Sequence, residues 1–207
     1  MVLRIYIDLW IKELDSDTAN ILWKLGFKAV AVEKLNTDKI KPNDIVVVKK
    51  KVIEARSRQE LRERLRGVSR EHSIISIKPY SIEAARMAAH DSRVDTIIID
   101  KDTLKYMDKN QFSLMKQFSK PLEVSFKTLI EPNSRVKAMI YRRINYYLLY
   151  TKLPLIVSSE ATKWNEVLVP VSTISFLTTL FNIDSRDALL SISNYPREIL
   201  VRKGVSI

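Results

Sequence analysis

The sequence contains no cysteine, only three glycines and only two histidines among its 207 residues. The absence of cysteine excludes disulfide bonds, thiolate metal sites and thiol nucleophiles together, and it fits a reducing compartment. Three glycines leave little material for a glycine-rich phosphate-binding loop. The longest apolar stretch, Val167 to Phe181, contains Pro170 and is shorter than the ~20 residues that span a bilayer, so we expect it in the core. Asp8, close to the start of the sequence, argues against a signal peptide.

Positive charge is what the sequence has in excess. Lysine and arginine number 35 against 24 aspartates and glutamates, which gives a formal net charge of +11. Hydrophobic residues make up 46% of the chain, which is enough for a substantial core and argues against disorder. A net charge of this size is informative about binding partners and not about the fold. A polyanion is therefore the expected partner, and an anionic membrane surface is the alternative.

Short apolar runs alternate with amphipathic stretches along the whole sequence. Ser57 to Glu60 fits a capping box that begins a helix with Leu61 and Leu65 on one face. We expect a turn at 42–44 and a long helix over 103–118. The predicted strands are 2–9, 28–33, 45–53, 73–78, 94–100, 122–126 and 153–157. This alternation predicts an α/β fold, namely a single-domain TIM-like β/α barrel of about seven parallel strands, and an open doubly wound sheet is the alternative.

Ligand sites of β/α barrels collect at the carboxyl ends of the strands, so polar residues there are the first candidates for catalysis. The candidates at the predicted strand ends are Asp8, Glu33, Glu54, Lys78, Asp100, Lys127 and Ser158. A multi-metal phosphoesterase would need several histidines at these positions. His72 and His90 both lie elsewhere, so we expect no metal site and no catalytic residue in this chain. Asp95 is expected to accept a backbone hydrogen bond or to pair with Arg93.

A pair of serines, Ser158 and Ser159, follows the seventh predicted strand. Hydroxyl groups at a strand-to-helix turn can cap the helix or hold a phosphate. No G-x-S-x-G motif and no nearby histidine accompany them, so a serine nucleophile has no support. Capping is the favoured interpretation, and phosphate binding is the alternative.

The densest positive charge lies between residues 49 and 70. Nine basic and three acidic residues give this segment a net charge of +6. On a helix, Arg58, Arg62 and Arg66 share one face, and Glu60 and Glu63 can neutralise only part of the charge. Phosphate contacts are therefore predicted for the following residues of the segment: Lys49, Lys50, Lys51, Arg56, Arg58, Arg62 and Arg66. We expect charge reversal at Arg56, Arg58 and Arg62 together to weaken RNA binding without unfolding the chain.

A second basic segment, Arg142 to Tyr150, is rich in tyrosine. Arginine can contact phosphate and tyrosine can stack on bases, and both contacts are common in RNA binding. At helical spacing, however, Tyr147 continues the apolar row of Ile140 and Ile144, so it is assigned to the core. The plausible RNA contacts in this segment are Arg142, Arg143 and Tyr146.

Several short motifs occur in a fixed order along nearly the whole chain. They are Asp8, Leu25-Gly26-Phe27, the basic segment from Glu54 to Arg62, Ser92-Arg93-Val94-Asp95, Ser158-Ser159 and the tail from Asp187 to Leu200. In this order and spacing the sequence resembles the family of ribonuclease P protein component 3, the barrel-type protein subunit of archaeal ribonuclease P. We add Arg93 and Ser158, which lie in these motifs, to the expected RNA contacts.

The resemblance implies a TIM-like barrel in a cytoplasmic ribonucleoprotein that removes the 5′ leader from precursor tRNA. It implies that the RNA subunit carries the catalytic magnesium ions, so this chain binds no cofactor and is not catalytic alone. It also implies a small α/β-sandwich protein, further ribonuclease P proteins, ribonuclease P RNA and precursor tRNA as partners, and no membrane. The alternatives are a stand-alone metal-dependent barrel phosphoesterase and a general RNA-binding scaffold.

The sequence departs from the family pattern in two places. The family pattern leads us to expect a glycine near Glu160, and a more polar, arginine-containing run before Pro170 than Val167 to Val169 provides. These departures weaken the inference that the loop after Ser159 contacts RNA as in relatives.

Overall fold

The structure is a computed structural model that describes residues 5–35, 45–68 and 73–207. The predicted turn at 42–44, the first residues of the predicted first strand and His72 lie outside these ranges. The strands within them are β1 (Tyr6–Leu14), β2 (Phe27–Leu35), β3 (Val46–Ala55), β4 (Ser73–Pro79), β5 (Thr96–Ile98), β6 (Leu122–Ser125) and β7 (Leu155–Ser158). The α-helices within them are α1 (Ser16–Lys24), α2 (Arg58–Arg66), α3 (Ile82–His90), α4 (Lys109–Gln117), α5 (Phe126–Ile130), α6 (Ser134–Thr151), α7 (Pro170–Phe181), α8 (Ser185–Leu190) and α9 (Asn194–Arg202).

The strands follow one another in the sheet in the same order as in the chain, from β1 to β7. The pairs β1–β2, β2–β3, β4–β5 and β5–β6 are parallel. Right-handed crossovers between strands in sequential order place all the connecting helices on the same side of the sheet. An open doubly wound sheet would instead reverse its strand order at a switch point. The prediction of a β/α-barrel fold with seven parallel strands is therefore confirmed.

The described residues divide into two compact units. The first contains residues 5–35, 45–50, 73–74 and 157–207, and the second contains residues 51–68 and 75–156. The boundaries fall inside β3, β4 and β7 and not in a linker. The expectation of a single domain over 1–207 stays a prediction.

The first unit contains a strand, β1, whose first six residues are all buried. Ile7, Leu9 and Ile11 of β1 are each 0% exposed, as expected for a parallel strand that is covered on both faces. α1 begins where the side chain of Asp15 accepts a hydrogen bond from the backbone N–H of Thr18 at 2.7 Å, which makes Asp15 the N-cap. The chain then turns at Gly26, whose φ of +87° favours glycine.

The second unit combines small residues on a helix with a polar cluster between strands. α3 buries four alanines, Ala84, Ala85, Ala88 and Ala89. Beneath the helices, the carboxylate of Glu123 on β6 accepts hydrogen bonds from Ser76 on β4, at 2.9 Å, and from Thr96 on β5. Because Ser76, Thr96 and Glu123 are all 0% exposed, these bonds replace the water that burial removes.

Three predictions about local structure need correction. The helix expected over 103–118 is a 3₁₀ turn at Leu104–Tyr106 followed by α4, because the side chain of Asp108 caps a new helix start at 2.7 Å from Gln111 N. The short helix α5 was not predicted. The assignment of 167–181 to the core is wrong in part, because Val171 on α7 is 69% exposed.

Candidate nucleic-acid interface

The helix α2 begins at a cap that sequence predicts well. The hydroxyl of Ser57 accepts a hydrogen bond from Glu60 N at 3.1 Å. The carboxylate of Glu60 accepts a hydrogen bond from Arg56 N at 2.8 Å. In a capping box the donor would instead be the backbone N–H of Ser57, the next residue. The hydrogen bond from Arg56 N is the largest of the influences that lower the pKa of Glu60. The predicted helix start is confirmed.

The two faces of α2 have opposite character. Leu61 and Leu65 are 0% and 1% exposed, so they anchor the helix in the second unit. The opposite side carries exposed Arg58, Arg62 and Arg66 at successive turns, which we call the α2 arginine row. A surface cleft on this side is lined by Arg58, Gln59, Arg62, Glu63 and Arg66.

The acidic residues of α2 are engaged without neutralising the α2 arginine row. The carboxylate of Glu60 lies 2.7 Å from the guanidinium of Arg64, and Glu63 accepts a hydrogen bond from Gln59 at 3.0 Å. Within the part of the chain that the structure describes, no ion pair joins a member of the α2 arginine row to a carboxylate. Their guanidinium groups can therefore bind an oxyanion such as phosphate.

The three lysines predicted as contacts on β3 differ in exposure because side chains alternate along a strand. Lys49 is exposed, whereas Lys51 is half-buried. Lys50 is 2% exposed, and its ammonium group lies 5.3 Å from the ring centroid of Trp10. This cation–π contact places Lys50 in the interior of the first unit, so we leave it out of the candidate surface.

Of the other predicted arginine contacts, two are held by the protein itself. The guanidinium of Arg93 donates two hydrogen bonds to Asp91, at 2.8 and 2.6 Å, which hold the pKa of Asp91 below its usual value. Arg143 donates to the carbonyl oxygen of Met107 at 2.7 Å. Arg142 is exposed on α6. The helices pack in the order α2, α3, α4 and α6, so Arg142 lies on a different surface from the α2 arginine row.

The pair Ser158 and Ser159 does not cap a helix. Ser158 is 0% exposed on β7, and the next helical element is a 3₁₀ turn at Trp164–Glu166. Ser159 N donates to the carboxylate of Asp8 at 3.1 Å, and the Ser159 hydroxyl accepts a hydrogen bond from Ala161 N at 3.1 Å. The predicted capping role is therefore wrong. Ser159 joins the chain after β7 to β1.

Burial defines the chemistry of Asp8. The carboxyl group is 0% exposed, and burial raises its pKa to about 6 although Ser159 and Trp10 N donate hydrogen bonds to it and Lys50 lies near. Trp10 in turn donates its indole N–H to Glu33 on β2. Asp8 thus holds the first strand to the chain after the seventh. It lies within β1 and not at the end of the strand as predicted.

Other polar residues near the predicted strand ends are also engaged with the protein. The ammonium group of Lys78 lies 2.8 Å from Asp100. Burial alone would raise the pKa of Asp100, but the hydrogen bond and charge of Lys78, together with backbone hydrogen bonds from Thr103 and Asp102, lower it. Asp95 accepts a hydrogen bond from Ile75 N at 2.8 Å, which confirms the prediction that it accepts a backbone hydrogen bond.

Glu160 has a φ of +60°, a conformation that explains why a glycine is expected near it.

Among the described ranges, no group of three or more histidine, cysteine, aspartate or glutamate side chains could hold a metal ion. No described helix is both long enough and apolar enough to cross a bilayer. The fold and the surface together define a class of protein: a basic β/α barrel in which the candidate residues Asp8, Lys78 and Asp100 are bound within the protein, and whose exposed arginines lie on outer helices.

Comparison with known proteins identifies the family. The model for "RNase P subunit p30" matches residues 5–206, so the chain belongs to the RNase P subunit p30 family. The chain is also 29% identical over 211 residues to ribonuclease P protein component 3 of Aeropyrum pernix, a match that covers 94% of this chain and 96% of the relative. This chain is thus a ribonuclease P protein subunit, and ribonuclease P is a tRNA-processing ribonuclease.

Two solved structures share the fold. One comes from a cryo-electron microscopy structure of archaeal ribonuclease P with mature tRNA, with a TM-score of 0.74 and 17% identity over 97% of this chain and 89% of that chain. The other is Aspergillus niger ochratoxinase, with a TM-score of 0.60 and 7% identity over 94% of this chain and 71% of that chain. Identities this low show the fold alone.

Proposed function

We propose that this chain acts in ribonuclease P by binding RNA through the α2 arginine row, without supplying catalytic side chains. The observation that carries the proposal is the row itself: three exposed guanidinium groups at successive turns, with no ion pair to any carboxylate in the described part of the chain. Arginine matches phosphate in geometry and charge. A formal charge of +11 adds long-range attraction for RNA.

The role in catalysis follows from charge. When ribonuclease P RNA folds and holds precursor tRNA, phosphate groups approach one another and repel. A basic protein that contacts those phosphates lowers the repulsion and releases bound cations. The chain would then lower the magnesium concentration at which the RNA works, while the magnesium ions of the reaction are held by the RNA. The archaeal enzyme whose structure contains a similar chain with mature tRNA supports this role.

Protein partners and location complete the proposal. We infer that the chain also contacts another ribonuclease P protein, a small α/β-sandwich subunit, as the family resemblance implies. We also propose a cytoplasmic location, as the family resemblance implies.

The first test is cleavage of precursor tRNA by the cognate RNA with its set of proteins, with and without this chain. We expect omission to lower activity or to raise the magnesium requirement. Unchanged cleavage by an enzyme whose other proteins still assemble would overturn the subunit role. Divalent-metal-dependent turnover of phosphoesters by the isolated chain would favour the stand-alone hydrolase instead.

The second test addresses the α2 arginine row in the full-length chain. Changing Arg58, Arg62 and Arg66 to glutamate lowers the formal charge by six, from +11 to +5. We expect weaker binding to ribonuclease P RNA and a salt dependence shallower by up to about 3 in slope, about 1 for each lost phosphate contact. The matched control changes three exposed arginines elsewhere by the same total charge, namely Arg186, Arg197 and Arg202.

The control variant separates a direct contact between the α2 arginine row and RNA from the general attraction of RNA to a positively charged protein. If both triple variants lose the same affinity and the same salt slope, the effect is one of net charge and the α2 arginine row is not the interface. If only the first variant loses affinity, the row contacts RNA. Circular dichroism and thermal melting confirm that both variants fold.

A further inference from the structure

A second surface on the same unit has a different chemistry. The longest helix, α6, buries Ile140, Ile144 and Tyr147 on one side. On the other side an exposed row recurs at alternating spacings of four and three residues, which keeps it on one face of the helix. We call this row the α6 stripe; its members are Arg135, Met139, Arg142, Tyr146 and Leu149. Met139, Tyr146 and Leu149 are 47%, 38% and 70% exposed, so three apolar or aromatic side chains face solvent along one row.

The charge of α6 is entirely positive. Its 18 residues include two arginines on the stripe, Arg135 and Arg142, together with Lys137 and Arg143, and they include no aspartate or glutamate. Within the described ranges, no ion pair joins Arg135 or Arg142 to a carboxylate. No acidic side chain of α6 offsets these four positive charges. Charge complementarity therefore favours a polyanion as the occupant.

The ring of Tyr146 is held in place before any ligand binds. It lies parallel to the ring of Tyr150, at an interplanar angle of 6° and a centroid separation of 5.6 Å. Parallel rings at this separation are offset, so neither covers the other completely. Phe112 of α4 supports Tyr146 from within, at 6.0 Å between centroids, and the Lys116 ammonium lies 5.6 Å from the Tyr150 centroid. A ring fixed in this way loses little conformational freedom when a base stacks on it.

We propose that the α6 stripe binds an unpaired segment of RNA, with a base stacked on Tyr146 and neighbouring phosphates on Arg142 and Arg135. This inference rests on the proposed function, because it assumes that the chain binds RNA. It adds that the α6 stripe and the α2 arginine row bind different forms of RNA. The α2 arginine row carries no aromatic side chain, so it suits the backbone of a duplex.

The preference for unpaired RNA follows from geometry. In an A-form duplex each base is stacked between its neighbours, so its flat face is closed to a side chain. An unpaired base exposes that face and can stack on tyrosine. Because every base has a flat aromatic face, such stacking tolerates any sequence. Arg142 lies one helical turn from Tyr146, about 6 Å along the helix axis, so one bound nucleotide and its neighbour can reach both.

The experiment compares a single-stranded oligoribonucleotide with a duplex of the same length. Fluorescence anisotropy of the full-length chain gives both affinities, and a 2-aminopurine base in the single strand reports stacking. In Tyr146→Leu we expect single-strand affinity to fall about tenfold or more and the 2-aminopurine signal of stacking to disappear. Duplex affinity should change less than about twofold, because the phosphate contacts remain.

Two further variants separate the ring from the fold. Tyr146→Phe keeps the aromatic face, so we expect single-strand binding close to that of the unchanged protein. Tyr195→Leu removes a half-buried tyrosine from α9, in the other unit, and serves as the matched control with no expected effect. Thermal melting checks that Tyr146→Leu, which loses contacts with Phe112 and Tyr150, still folds.

The outcomes distinguish the inference from the function on which it rests. Unchanged single-strand binding in Tyr146→Leu, with binding lost in the α2 triple variant, would overturn the inference and leave the proposed function standing. Equal losses in Tyr146→Leu and Tyr146→Phe would overturn it too, because the ring would not be the cause. Loss of a ribonuclease P protein from the complex, with RNA affinity intact, would identify the stripe as a protein interface. Absence of any RNA binding by the unchanged chain would refute the proposed function itself.

Discussion

The buried carboxyl group of Asp8 predicts an unusual dependence of stability on pH. Burial raises its pKa from 3.8 to about 6 in the folded protein. The folded state therefore holds the proton more tightly than the unfolded chain does. The stabilisation is fully present below the unfolded pKa and is lost as pH rises through the folded pKa, by about 3 kcal/mol in total. Between about pH 4.5 and about pH 7.5 the loss is about 2 kcal/mol.

The perturbation that isolates this effect is Asp8→Asn. The amide oxygen of asparagine can still accept the hydrogen bonds that Trp10 N and Ser159 N donate to Asp8, at 3.0 and 3.1 Å, but the side chain does not ionise. We expect the free energy of unfolding of the variant, relative to the unchanged protein, to rise by about 2 kcal/mol between about pH 4.5 and about pH 7.5. Urea denaturation at several pH values measures this difference directly.

The difference in the free energy of unfolding between Asp8→Asn and the unchanged protein also cancels the contributions of the other carboxyl groups. Those contributions change with pH in the opposite direction. Asp91, for example, has its pKa lowered by the hydrogen bonds from Arg93, so it stabilises the fold above its unfolded pKa and loses that effect as pH falls. Asp91→Asn is therefore the matched control: its stability relative to the unchanged protein should fall as pH rises to about 4 and then stay constant up to about pH 7.5. A difference for Asp8→Asn that stays constant over the whole pH range would refute the argument that Asp8 is protonated more readily in the folded state.

Two further changes test local stability. Ser57→Ala removes the hydroxyl that accepts the hydrogen bond from Glu60 N, so we expect the free energy of unfolding to fall by about 1 kcal/mol in urea denaturation; Ser57→Asp, which keeps an acceptor, should restore it, and an unchanged Ser57→Ala would show that the cap contributes nothing. Tyr147→Phe removes a buried hydroxyl that donates to Pro154 O at 3.1 Å and accepts from Leu122 N at 3.0 Å. Because a buried N–H and a partly buried carbonyl oxygen lose their partner, we expect a loss of about 1–3 kcal/mol, and a loss no larger than experimental error would contradict this reasoning.

Local signals in the sequence predicted the secondary structure where a short-range contact decides it. The caps at Asp15 and Ser57 each join side chain and backbone three residues apart, so the pattern of residue types is sufficient to find them. The helix break at Asp108 has the same local origin, since its side chain caps α4, and an aspartate three residues before Gln111 is the signal that could have revealed it. The alternation of strands and helices left two arrangements, a β/α barrel and an open doubly wound sheet, because right-handed crossovers allow few others.

The candidate surface could be predicted only in part. Spacing alone placed Arg58, Arg62 and Arg66 on one helix face, and the structure exposes all three. The α6 stripe was found only at Arg142 and Tyr146, although the spacing of Met139 and Leu149 contained the same signal. Composition shows that a segment is basic, but it does not show which arginine finds a partner within the protein.

What the sequence by itself determined is therefore periodic or local: the alternation of strands and helices, the helix caps and the face on which the α2 arginine row lies. Only the tertiary structure decided which charges stay exposed. It buries Lys50 against Trp10, two strands away, and joins Asp8 to Ser159, 151 residues apart in the chain. Burial removes water from a charged group and raises its free energy unless a partner compensates, and those partners come from distant parts of the chain that only folding brings together.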